Sequence, residues 1–134
     1  MAKKMKCLIL REPHHRRPTS LGGTSSPGNI SYVDPHIHDC WHYIFGNMNA
    51  FQIANRINKM APTDKPENLK VICKFINGSQ VKGSGGNTTK NKKLICYAWK
   101  KISKGLSFVE FIEYINNVFL DPSYHFYVEE VFHN

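Results

Sequence analysis

This chain has few acidic residues, no long apolar run and no clustered cysteines. Ten Asp and Glu stand against eighteen Lys and Arg in 134 residues, a net charge of +8 with histidine neutral. That balance suits a polyanionic partner with salt-dependent affinity, although a lysine-rich solvated surface would give the same number. The basic start Met-Ala-Lys-Lys-Met-Lys is followed by an apolar run, Cys7 to Leu10, far too short for a signal peptide or a membrane span, so no membrane partner is expected. The four cysteines, Cys7, Cys40, Cys73 and Cys96, lie far apart and form no zinc-knuckle spacing. They read as reduced thiols in a cytoplasm. No helix-turn-helix or zinc-finger signature stands out. The length allows one domain, or a small core with an extension.

What the chain does have is histidine in a pattern. His14 and His15 are adjacent, Gly22-Gly23 and Pro27-Gly28 mark turns, Asn29 precedes the strand-like Ile30 to Val33, and His38-x-x-x-His42 follows. Leu8 to Leu10 read as a first strand and Ile30 to Val33 as its return. Asp34-Pro35 supplies an N-cap and then proline at the first helical position, where its missing N–H does no harm. His38 and His42 are therefore expected one turn apart on one helix face, which offers two imidazoles to one ion. A lone histidine is usually a surface or hydrogen-bonded group, and His36, His125 and His133 are assigned no role.

Over the first third of the chain this pattern resembles the HNH, or ββα-metal, nucleases, most closely their His-rich version in the nuclease colicins. The resemblance implies a fold class of α+β, a ββα-metal motif with a C-terminal α/β extension packed on it. It implies His14, His38 and His42 as ligands of one divalent metal, His15 as general base, Asn29 as the residue orienting that base, and Glu12 as an acid behind the ligands. Arg16 and Arg17 would contact phosphate. Three imidazoles suit Zn, Ni or Mn better than Mg, although Mg often serves this family. The motif lacks the Asp-His start and flanking Cys-x-x-Cys pairs of many members, and Cys40 is expected to be a buried thiol. The implied activity is hydrolysis of DNA, with RNA as an alternative substrate, leaving 5′-phosphate and 3′-hydroxyl ends. The alternative is a non-catalytic, metal-stabilised nucleic-acid-binding protein or accessory factor.

Residues 1–61 are expected to hold the metal motif and one further helix, capped by Asn49, with Phe51, Ile53, Ala54, Ile57 and Met60 inward. Pro62 to Pro66 reads as a linker into an extension covering 62–134. There Leu69 to Ile76 is strand-like, and Asn77-Gly78 predicts a hairpin returning through Gln80 and Val81. A basic loop, Lys82 to Lys93, leads to a helix over Asn91 to Ile102 with Leu94, Ile95, Ala98 and Ile102 inward. Ser107-x-x-Glu110 is a capping box opening a helix with Phe108, Phe111, Ile112, Ile115 and Phe119 on its apolar face. Asp121-Pro122 stops it, and Tyr124 to Phe132 adds an edge strand. Lys90, Lys92, Lys93, Lys100 and Lys101 are the candidate nucleic-acid contacts of this half, with a plain solvated connector as the other reading of the loop. Trp41, Ile44, Ile57 and Asn58 recur at constant offsets as Trp99, Ile102, Ile115 and Asn116, with a Gly-Gly ahead of each tryptophan. Apolar periodicity produces such matches by itself, and coincidence between two amphipathic helix pairs is the reading preferred over duplication.

Overall fold

The computed structural model of the chain describes residues 10–60, 65–86 and 91–131. Among them it is α+β, with two separate two-stranded antiparallel sheets and four α-helices. Strand β1 (Glu12–His15) pairs with β2 (Ile30–Val33), Glu12 opposite Val33 and His15 opposite Ile30. The strand that pairs with β2 thus begins at Glu12, after the expected Leu8 to Leu10. Leu8 and Ile9 lie outside the described residues, while Leu10 is outside the strand and 80% exposed. The histidine pair, not the apolar run, is what β2 pairs with, and Pro13 is tolerated because β1 is an edge strand.

Helix α1 (Pro35–Phe45) is capped by Asp34, whose side chain accepts from His36 N and Ile37 N. Trp41, Ile44 and Phe45 point inward. Helix α2 (Ala50–Met60) opens on a reciprocal cap in which Gln52 N donates to Asn49 Oδ1 and Asn49 N donates to Gln52 Oε1, both at 2.8 Å. Its buried stripe is Ala50, Ile53, Ala54 and Ile57, one turn position away from the expected Phe51, which is half exposed and meets Tyr124 edge-on. In α3 (Lys92–Ile102), capped by Asn91, the inward set is Ile95, Ala98, Trp99 and Ile102. Leu94, expected inward, is 47% exposed because it falls off that i, i+3, i+4, i+7 stripe.

Strand β3 (Leu69–Phe75) pairs with β4 (Tyr124–Glu130), Val71 opposite Val128, and not with Gln80 and Val81. Gly78 does turn the chain, with φ +77, but no strand forms over residues 79–86. The distant partner wins because it brings Tyr124 and Phe126 into the core, while Val81 N donates to the Tyr124 hydroxyl from the side. The other edge of each strand is closed by an asparagine. Asn58 exchanges two 2.9 Å hydrogen bonds with the N–H and C=O of Val71, and Asn116 does the same for Phe126. A primary amide there stands in for a missing strand, so two buried backbone groups keep partners.

Helix α4 (Phe108–Tyr114) has the Ser107–Glu110 capping box and runs into a wide turn of π-helix, Ile115–Phe119. One apolar cluster, from Val33 to Phe126, draws on both sides of the boundary expected at 61/62, and Trp41 stacks on Phe119 with ring centres 4.4 Å apart. Residues 61–64 of the expected linker lie outside the described residues. No helix among the described residues is long and apolar enough to cross a membrane.

Candidate metal centre

Period-two alternation along β1 sends His14 and His15 to opposite faces. His14 turns inward and is 3% exposed; His15 stays near the surface. The Asp34 cap fixes where α1 starts, and a 3.6-residue repeat then stacks His38 and His42 on the face toward β1. Their rings lie 4.5 Å apart, and the His14 ring is 5.3 Å from His38 and 5.7 Å from His42. One nitrogen from each of the three lies within 4.8 Å of the others, a spacing that can hold a metal ion.

Each imidazole is held from behind by its other side. His14 Nε2 donates to the Phe119 carbonyl at 3.0 Å, and His38 Nδ1 lies 2.7 Å from Glu12 Oε1. A backbone hydrogen bond with Gly46 acts on His42. Such partners fix ring orientation and tautomer in metal sites. With Nε2 carrying the proton toward Phe119, His14 Nδ1 is a bare lone pair, and it is buried with no hydrogen-bond partner. His38 Nε2 and His42 Nε2 face each other at 2.9 Å, so the pair can hold one proton or one cation between them.

Burial sets the charge state. Desolvation pulls His14 from 6.5 down to about 4 against the pull of the Phe119 hydrogen bond, with His42, His38 and Arg16 adding to the depression. Desolvation and the His38 charge also lower His42. Neutral, oriented imidazoles with one orphaned lone pair fit a divalent ion of the Zn, Ni or Mn kind. Cys40, Cys73 and Cys96 are free thiols outside the group, and burial pushes Cys40 up and Cys73 to about 12.

A cavity of about 110 Å³ opens beside the histidines, lined by His14, His15, Arg16, Trp41, His42 and Phe119 among others. His15 shares this space without joining the triad, its Nε2 3.2 Å from Ser25 Oγ. Asn29 does not touch it. The Asn29 side chain accepts from Arg17 N and donates to the Arg17 and Thr24 carbonyls, so it pins the loop between β1 and β2. Gly23 must be glycine there, since a Cβ would overlap the Arg17 carbonyl. Asn29 therefore acts on His15 through the loop backbone, at Arg16 and Arg17 on one side and at Thr24, next to Ser25, on the other.

The two arginines also differ from expectation. Arg17 Nε pairs with Asp121 at 2.6 Å, and its other nitrogens donate to Ser79 Oγ and O. That guanidinium is a clamp between the hairpin and the C-terminal segment, with its hydrogen bonds taken by Asp121 and Ser79. Arg16 donates to the carbonyls of Leu120 and Asn116 and leaves only its charge at the cavity wall. Lys92, Lys93 and Lys100 are exposed on α3, Lys101 lies over the Tyr97 ring, and Lys90 is outside the described residues.

What sequence reasoning missed is the π turn. Residues 116–120 present carbonyls to the hairpin, with Val118 O taking Ser31 Oγ and Phe119 O taking His14. Only the helix-stopping Asp121-Pro122 hinted at an irregular end. Comparison with protein-family models, with curated proteins and with solved structures finds no match to this chain.

Two outcomes follow for thermal melts. In chelator, the lowered His14 pKa favours the neutral, folded form, so stability is fully present above about pH 6.5 and falls as pH drops toward 4. His14→Gln should flatten that decline, and an unchanged slope would refute the charge assignment. At neutral pH, Zn²⁺ at about 100 times its Kd should stabilise the wild type by about 2.7 kcal/mol. His42→Ala should lose most of that gain; equal gains in both proteins would exclude His42 as a ligand.

Proposed function

We propose that this chain is a metal-dependent endonuclease of the HNH, ββα-metal kind, hydrolysing phosphodiester bonds in DNA. The observation that carries the reading is the convergence of His14 from the hairpin with His38 and His42 from the next helix, beside a cavity that His15 also lines. Hairpin followed by helix is the order the motif requires. A three-histidine group alone would serve a structural site equally well. A fourth histidine at the same cavity, outside the ligand group, is what a hydrolase needs and a structural site does not.

His14, His38 and His42 would hold the ion, and the ion when bound would supply positive charge to the phosphate and the departing 3′ oxygen. Glu12 keeps the His38 ring turned with Nε2 inward. His15 would take the proton of the attacking water, which requires a neutral imidazole within hydrogen-bond reach of that water. Ser25 and the loop pinned by Asn29 hold that ring at the cavity. The Arg16 charge, fixed by two backbone carbonyls, adds a standing attraction for phosphate at the cavity wall. A second reading, a metal-stabilised nucleic-acid-binding protein without catalysis, draws support from Asn29, whose hydrogen bonds all go to the loop.

Plasmid DNA incubated with purified protein and Mg²⁺, Mn²⁺, Ni²⁺ or Zn²⁺ separates the two. The nuclease reading expects nicked or linear product. His15→Ala should lower the cleavage rate by on the order of 10² to 10⁴-fold while the metal-induced rise in melting temperature stays. Wild-type cleavage by that variant would remove His15 from the mechanism, and an intact plasmid with every metal would leave the binding reading.

A further inference from the structure

The recurring residues noted in the sequence occupy equivalent places in the fold. At one constant offset, the buried Trp41 and Ile44 of α1 correspond to Trp99 and Ile102 of α3. The buried Ala50, Ile53, Ala54 and Ile57 of α2 correspond one for one to Phe108, Phe111, Ile112 and Ile115. The Asn49–Gln52 cap corresponds to the Ser107–Glu110 cap, and Asn58 to Asn116, each clamping the strand that follows. Apolar periodicity explains the helix stripes but not matching caps and matching amide clamps. The strand register agrees as well: exchanging the clamped residues Val71 and Phe126 turns the pair Val71–Val128 into Cys73–Phe126, which is also a pair, so a local two-fold passes through Ile72–Tyr127. The coincidence reading gives way to two copies of a helix–helix–strand unit.

The two-fold shows what is different about the copies. The β1–β2 hairpin fills the slot between α1 of the first and the end of α4 of the second, bonding Val118 O and lying against His38. The equivalents of Val118, His38 and Asp34 are Met60, Cys96 and Lys92. Those three line a cleft of about 570 Å³ between α2 and α3, where the described residues place no hairpin. Among the described residues its charged lining is Arg56, Lys59 and Lys92. Lys92 and Cys96 continue it onto the exposed α3 face bearing Lys93, Tyr97 and Lys100. His42 is matched there by Lys100 and His38 by Cys96, so the counterpart of the metal site has none of the imidazoles and carries cations instead.

We propose that this basic cleft is a second nucleic-acid-binding site, taking backbone phosphates of the DNA whose cleavage is assigned above to the metal centre; the choice of DNA rests on that assignment. Charge complementarity selects the occupant, since the charged side chains that the described residues place along the cleft are all cations, with Lys59 and Lys92 exposed and Lys93 and Lys100 beside them, which favours a polyanion over a neutral or basic chain. Arg56 and Lys59 are the residues it adds to the α3 lysines.

The test is fluorescence anisotropy of a labelled duplex of about 20 base pairs, in EDTA so that no cleavage intervenes, over a range of salt. Arg56→Gln/Lys59→Gln/Lys92→Gln should raise Kd about tenfold or more at 0.1 M salt and lower the log–log salt slope by about 0.9 per lost contact. Lys59→Gln/Lys92→Gln, at two exposed side chains, should shift both values part of the way with an unchanged melting temperature. Unchanged Kd and slope in both variants would overturn the site, as would loss of affinity for a polyglutamate peptide with DNA affinity intact. Wild-type protein that binds DNA without cutting it refutes the nuclease reading but not this one. A protein that cuts, with binding unaffected by either variant, refutes only this one.

Discussion

The docking of a hairpin of two four-residue strands onto the widened end of α4 is the constraint on which the rest of the structure depends. A pair of short strands cannot bury enough surface to stand alone. Here Arg16, Ser31 and His14 bond the carbonyls of Asn116, Val118, Phe119 and Leu120, and the Arg17–Asp121 pair closes the far side. These are the last carbonyls of the helix, which find no N–H further along it, and the hairpin supplies their donors. The same contact that anchors the fold sets the His14 tautomer, because the acceptor for its Nε2 is the Phe119 carbonyl.

From that tautomer follows the chemistry of the site. A buried histidine with a satisfied donor and an unsatisfied acceptor is costly unless something takes the lone pair. His38 and His42 supply two more inward nitrogens at the same spot, and Glu12 holds its carboxylate behind His38 rather than among the ligands. Occupancy and folding are then coupled, since an ion there would tie β1 to α1 across the core.

Short-range features of this arrangement were legible in the sequence, and long-range ones were not. Asp34-Pro35 and His38-x-x-x-His42 act within one helical turn, and they locate α1 and its imidazole face with no tertiary information. Ser107-x-x-Glu110 does the same for α4. The hairpin read at Asn77-Gly78 failed because a local turn preference met a distant strand with more apolar surface to bury. The arginines beside His15 read as phosphate contacts from their place next to the histidine pair; Asp121 takes the Arg17 charge, and the π-turn carbonyls take the Arg16 N–H groups, from a hundred residues away. Asn29 was placed on His15 by analogy, whereas its hydrogen bonds go to the loop backbone.

The central claim is that three imidazoles, and no thiolate, hold one divalent ion between the hairpin and α1. X-ray absorption at the zinc edge of protein loaded with one equivalent of Zn²⁺ addresses it directly. The account predicts imidazole nitrogens at about 2.0–2.1 Å with no sulfur shell, and fewer imidazoles in His14→Ala. A sulfur shell at about 2.3 Å, or a spectrum that His14→Ala leaves unchanged, would contradict it.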